Sequence, residues 1–261
     1  MTSVVAWQRI YGTGSELIVA SDSRLSGGEE WDACAKIFNI GREDSVLAFS
    51  GMTWRALPLV LQAIATTRSY EGSAVRTLDL PEFAGHLERV INGVLSQARG
   101  PAAEEDPDCE FLLAGWSWKM GGFRIYRYRF SKDLGRFHRW APRRSPSAIR
   151  GRGRGSLYAA IGSGATRLTG SIAESYNRGL ISGGLHFHPL EHLYQQTLDP
   201  AEHSVGGAVQ VAKVYRSIRV EHFAVRVGGL LTISGRSVLP YENLSVRTLA
   251  RDVSGGWSIE P

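Results

Sequence analysis

The hydrophobic period of this chain changes four times along its length, and the order of those changes restricts the fold more than any other feature. Apolar segments open it at 3–10 ("SVVAWQRI") and 16–23 ("ELIVASDS"), with "YGTG" between them as a hairpin turn. A second pair follows at 35–40 and 45–51, joined by the polar "GRED". The period then lengthens. Trp54, Leu57, Leu61 and Ile64 recur at helical spacing from Thr53 to about Thr67. A stronger helix is expected from Pro81 to Ala98, where Phe83, Leu87, Val90, Ile91, Val94 and Leu95 form one stripe behind a proline start. Strand patterns return at 110–116, 123–130, 135–141 and 157–164. Helical patterns follow at 165–178 and 189–198, then strands at 207–217, 222–227 and 230–234. A doubly wound parallel sheet needs strand and helix to alternate singly, so this order excludes it. An α+β fold accommodates it: two antiparallel sheets packed together, with helices on both outer faces. No repeat and no linker divides residues 1–261, so a single domain is expected, with a less assignable tail after about 217.

Composition narrows the class. A hydrophobic fraction of 43% and seven tryptophans belong to a globular chain rather than a disordered one. Cys34 and Cys109 make no disulfide framework and no zinc-type spacing, which points to reduced thiols in a cytoplasm. The first residues lack the basic and apolar regions of a signal peptide, and no run of about 18 apolar residues is long enough for a membrane span. The net charge of +5 rests almost wholly on arginine, because the only lysines are Lys36, Lys119, Lys132 and Lys213.

Two features suggest ligands and are better read as structure. "RGRGRG" at 150–155 lacks the Lys-Ser/Thr ending of a phosphate loop and the aromatic platforms of a single-strand binder, so a solvated loop is expected and no nucleic acid. His188 and His192 stand four apart, but no HExxH is present and Pro189 marks a helix start, so capping and surface roles are expected and no metal.

Four places remain that suit chemistry. Thr2 follows the initiator methionine. "SDSR" ends the second strand with Asp22 and Arg24. Lys36 opens the third strand in an apolar stretch. Gly51 closes "LAFSG" before a helix. A threonine hydroxyl is a poor nucleophile until a base takes its proton. A free α-amine on the same residue is such a base, with a pKa of about 7.7–8.0. A nearby lysine lowers that value by like-charge repulsion and favours a developing alkoxide, and an aspartate holds the lysine. The Gly51 N–H is the candidate oxyanion donor.

In order, the segments "TSVVA", "VASDSR", "AKIFNI", "LAFSGMTW" and "AIGSG" resemble the β-subunits of the proteasome and their bacterial relatives, the N-terminal-threonine hydrolases. The resemblance is dense over 2–54 and thinner to about 215. It implies the four-layer αββα sandwich of N-terminal-nucleophile hydrolases and peptide-bond hydrolysis by Thr2 once Met1 is removed, with no cofactor. Lys36, Asp22 and Arg24 form its charge network, and Ser163 hydrogen-bonds the terminal amine. Phe49 is placed in the first specificity pocket, with Ser50 and Thr53 beside the groove. The partners implied are a peptide or protein substrate and further copies in a homo-oligomeric ring, which an ATP-driven unfoldase would feed. One segment departs from the pattern. In "AEHSVGGAV", aligned on Gly206 and Gly207, Glu202 stands where the family has aspartate and Val205 where it has serine. Ser204 compensates only if the turn is one residue longer. That departure keeps open an inactive, partner-binding member of the same fold, and a small-amide amidohydrolase is a third reading.

Overall fold

A computed structural model describes residues 2–26, 29–100, 105–142 and 157–260. The arginine–glycine segment 150–155 lies outside them. The opening hairpin sets the frame. β1 (Val4–Tyr11) and β2 (Gly14–Ser21) pair antiparallel from Val4↔Ser21 to Tyr11↔Gly14, which leaves Gly12 and Thr13 as the turn. β3 (Ile37–Asn39) and β4 (Ser45–Gly51) form the second pair. The polar link between them is not a solvated turn. Arg42 and Asp44 are buried, and the Arg42 guanidinium donates to Asp44 (2.9 and 2.5 Å), Ser73 O and Leu78 O while stacking on Phe83.

The helices α1 (Thr53–Ser69), α2 (Glu71–Ala74) and α3 (Leu80–Leu95) come next. α3 begins where chemistry says it should, with Pro81 in the first turn and the Glu82 carboxylate accepting the Asp79 N–H at 2.8 Å. Then follow β5 (Cys109–Ser117), β6 (Gly122–Ser131), β7 (Arg136–Trp140), β8 (Tyr158–Ile161), α4 (Ala165–Asn177) and α5 (His188–Thr197). β9 (Gln210–Tyr215), β10 (Arg219–Val227), β11 (Leu230–Ile233), β12 (Arg236–Ser237), β13 (Thr248–Arg251) and β14 (Trp257–Glu260) complete the chain.

The strands make two sheets in an α+β architecture. The smaller has the order β3-β4-β5-β6-β7, and the larger runs β12-β11-β10-β9-β2-β1-β8, with β13 and β14 joined through β10. The larger sheet is not wholly antiparallel: β10 and β13 pair parallel, from Ala224↔Thr248 to Val227↔Arg251. The chain between them is long enough to return to the starting end, which a parallel pair requires and a hairpin cannot supply. The tail after 217 is therefore part of the sheet. It is also tied to α5, because the Glu191 carboxylate accepts from Arg251 Nε (2.8 Å) and Nη2 (2.7 Å) and from the Trp257 indole (2.8 Å).

Strand alternation sorts the core. Val5, Trp7, Ile18 and Ala20 pack with Leu168, Ile172, Leu190 and Leu193 of α4 and α5. Leu47, Phe49, Phe111 and Leu113 pack with Ala56, Val60, Phe83 and Leu87 of α1 and α3. The intervening positions Val4, Ala6, Leu17, Val19, Val46, Ala48, Leu112 and Ala114 share a third cluster drawn from both sheets. No helix among the described residues is long and apolar enough to cross a membrane.

Candidate active site

Successive strand residues point to opposite faces, so Thr2 shares a face with Val4 and Ala6. Ser50 likewise follows Val46 and Ala48, and Glu110 precedes Leu112 and Ala114. All three stand at one end of the space between the sheets. Thr2 is 1% exposed there, and the Lys36 ammonium donates to its Oγ1 at 2.9 Å. The same nitrogen donates to Asp22 Oδ1 at 3.0 Å and to Arg24 O at 2.6 Å. An ammonium has three donors, and here each has an acceptor.

Asp22 is satisfied as completely. Its Oδ1 also accepts the Ser3 N–H (3.0 Å), and its Oδ2 accepts the N–H groups of Arg24 (3.2 Å) and Gly206 (3.2 Å). Burial pushes the Lys36 ammonium below and the Asp22 carboxyl above their ordinary values, while their mutual attraction opposes both shifts. Gln210, which the sequence reading missed, locks this arrangement. Its Oε1 accepts the Lys36 N–H (3.1 Å), and its Nε2 donates to Asp22 O (3.0 Å) and Cys34 O (2.7 Å). The signal for it was a polar residue opening a mostly apolar strand, visible only once β9 lies beside β2.

A buried ion pair alone does not mark a functional site. Arg42–Asp44 and Lys213–Glu16 are buried as deeply. Among the described residues, Lys213 donates to Glu16 at 3.0 Å and faces the Phe187 and Phe223 rings. Lys36 differs because it spends a donor on a hydroxyl, the group a hydrolase would activate.

The other expected residues divide. Gly51 lines a cleft of about 500 Å³ together with Ser50, Gly162 and Ser163. Gly51 has φ +89°, and a Cβ there would strike the Asp108 carbonyl, so backbone conformation and close approach both require glycine. Gly162 has φ +93°, and a Cβ there would strike the Thr2 carbonyl and crowd Ser50. Thr2 is thus seated against the "GSG" turn, with the Gly164 N–H on its carbonyl at 3.3 Å. Ser163 is exposed on the cleft wall, and Gly164 is the N-cap of α4.

Two expectations are corrected. Phe49 does not line the cleft; alternation turns it into the core beneath α1 and α3, fully buried. Thr53, which begins α1 two residues beyond Gly51, is half-buried. The Arg24 guanidinium does not brace Lys36: it grips Asp32 through Nε (2.7 Å) and Nη2 (2.8 Å), and Arg24 serves the site through its backbone. Asp32 holds the Arg24 guanidinium above its ordinary value, and Arg24 holds Asp32 below.

The departing segment reaches the site differently from the family pattern. Ser204 donates to Glu202 Oε1 at 2.7 Å, Val205 is buried in the core beside α4 and α5, and the Gly206 N–H makes the contact to Asp22. Cys109 also lines the cleft, but burial pushes its thiol up to about 12, so it is not a thiolate near neutral pH. On α5, His192 Nε2 lies 3.2 Å from Ser175 Oγ, a helix-to-helix contact away from the cleft. No protein-family model matches the chain, and no curated protein matches it.

Proposed function

We propose that this chain is a proteasome-like threonine hydrolase that cleaves peptide bonds through Thr2 after removal of Met1. The observation that carries the reading is the Lys36 ammonium shared between Thr2 Oγ1, Asp22 and the Arg24 carbonyl. We also read the two sheets and their helices as the four-layer αββα sandwich. Three separate apolar clusters, two between sheet and helices and one between sheets, support that arrangement.

While Met1 is attached, the Thr2 nitrogen is an amide and cannot act as a base. Its removal leaves an α-amine of ordinary pKa about 7.7–8.0, lowered by the Lys36 charge. That amine takes the hydroxyl proton as Oγ1 attacks the carbonyl carbon, and Lys36 stabilises the developing alkoxide. The tetrahedral oxyanion faces the Gly51 N–H. Collapse breaks the C–N bond, the ammonium returns its proton to the departing amine, and an ester on Thr2 remains. Water, deprotonated by the same amine, attacks the ester; the C–Oγ1 bond breaks, the ammonium returns its proton to Oγ1, and the acid leaves. No cofactor enters these steps.

The test is hydrolysis of a fluorogenic peptide library beside a set of small amides. The expected result is peptide turnover that disappears in Thr2→Ala and falls about 10²–10³-fold in Lys36→Met, the cost of removing one preorganised donor to a developing anion. Turnover of small amides alone would reassign the chain as an amidohydrolase. Unchanged turnover in Thr2→Ala would remove the proposal. A second reading, an inactive partner-binding member of the fold, is favoured by Val205 and by Ser204 facing Glu202. The homo-oligomeric ring, and an unfoldase that would feed it, follow from the resemblance and belong to this proposal.

A further inference from the structure

The cleft beside Thr2 is acidic on a basic protein. Asp106, Asp108 and Glu110 line it against Arg129 and Lys132, whereas the chain as a whole carries +5. The two cations are poor neutralisers. Lys132 pairs with Asp106 at 2.9 Å with its side chain 82% exposed, and Arg129 approaches Glu110 at 3.4 Å with 78% exposed. Such pairs are screened by water and contribute little. Asp108 makes no ion pair among the described residues.

The floor is more specific than the charge. Ser50 and Glu110 are direct cross-strand partners of β4 and β5, on the face that also carries Thr2. Side chains so placed stand about 4.5–5.5 Å apart at Cβ. Ser50 Oγ is buried at the cleft and has no hydrogen-bond partner among the described residues. A buried hydroxyl without a partner is costly, so it marks a position for a polar group from outside. Glu110 keeps acceptor capacity as well. Its contacts to Arg127 Nη2, Arg129 Nε and the Gly162 N–H all lie at 3.4 Å, the long limit of a hydrogen bond, while a carboxylate has about four lone-pair sites. A group with several N–H donors placed between the hydroxyl and the carboxylate satisfies both.

We propose that Ser50 and Glu110 form a specificity site for a cationic group, a primary ammonium or an amidinium/guanidinium, on the substrate residue next to the attacked carbonyl. The placement beside the attacked carbonyl rests on the reading of Thr2 as nucleophile; the cation site itself does not. Asp108 adds attraction at the wall, and Arg127 and Arg129 are the like charges that limit affinity.

Two measurements separate these claims. The first is calorimetric titration of the full chain with benzamidine, neutral benzamide and benzoate. Benzamidine is expected to bind one to one and about tenfold or more tighter than benzamide, the size of one charge-assisted hydrogen bond. Glu110→Gln is expected to abolish that preference, and Ser50→Ala to reduce it several-fold, about the loss of one neutral hydrogen bond. Equal binding of benzamidine and benzamide, or a preference unchanged in Glu110→Gln, overturns the site. The second compares fluorogenic peptides ending in lysine, norleucine or glutamate. A lysine preference in KM that inverts in Glu110→Arg places the cation beside the attacked carbonyl. Turnover without that preference overturns the placement and leaves Thr2 as nucleophile, whereas cation binding without any turnover overturns the nucleophile and leaves the site.

Discussion

Gly162 carries as much of the site as the charged residues do. Its φ of +93° belongs to the region that side chains avoid, and its missing Cβ is the space into which the Thr2 carbonyl fits. Gly162→Ala therefore meets strain and collision together. Thermal denaturation is expected to show a loss of about 1–3 kcal/mol, the cost of holding a residue in such a conformation. Activity is expected to fall further than stability, because relief of the collision moves Thr2 away from Lys36. Alanine at Gly93 is the control: it lies in α3 with open space at its Cβ, and the same change there should leave both nearly intact. Equal behaviour of the two variants would contradict the seating of Thr2 on this turn. At this scale Asp22 and Lys36 were legible because their types and order carry the chemistry. Gln210 was not, because its three bonds go to backbone groups of Asp22, Cys34 and Lys36, which no local pattern records. Phe49 differs from its expected place for a simpler reason: one step of strand alternation decides between cleft and core, and a motif resemblance does not carry that step.

Among the elements, β13 and β14 are tied to α5 through one carboxylate. Burial alone would push Glu191 up, but the Arg251 guanidinium, the Gln195 amide and the Trp257 indole together hold it below its ordinary 4.5. Its folded value is thus lower than its unfolded one. The stability it contributes is present above 4.5 and is lost as pH falls through the folded value. Hydrogen exchange should show residues 248–260 losing protection in acid before β1 and β2 do, and Glu191→Gln should remove that pH dependence while lowering protection at neutral pH. Uniform loss of protection across the larger sheet would contradict the account. The end of the tail was less assignable because β13 and β14 are four residues each, too short to show a period, and β13 joins the sheet by lying parallel to β10 across a long connection. The long alternating strands and the stripe of α3 were legible for the opposite reason: their pattern repeats enough times to show its period.

At the scale of the whole molecule, two sheets share one apolar interior, and at one end of it Ser50 and Glu110 open onto a single cleft, with Thr2 buried against the Gly162 wall of that cleft and Lys36 and Asp22 behind it. The order of hydrophobic periods was enough to exclude a doubly wound sheet. It did not define the register that brings residues 2, 36, 50, 110, 162 and 210 together, since that depends on pairings between segments far apart in sequence. On the proposed function, the cell exposes Thr2 as a new N-terminus and this residue is the nucleophile. Intact-mass spectrometry of the purified protein, before and after treatment with a peptide epoxyketone, tests it most directly. The account predicts a mass lacking Met1 and a single covalent adduct that maps to Thr2 and is absent from Thr2→Ala. A protein that retains Met1, or an adduct that persists in Thr2→Ala, would contradict it.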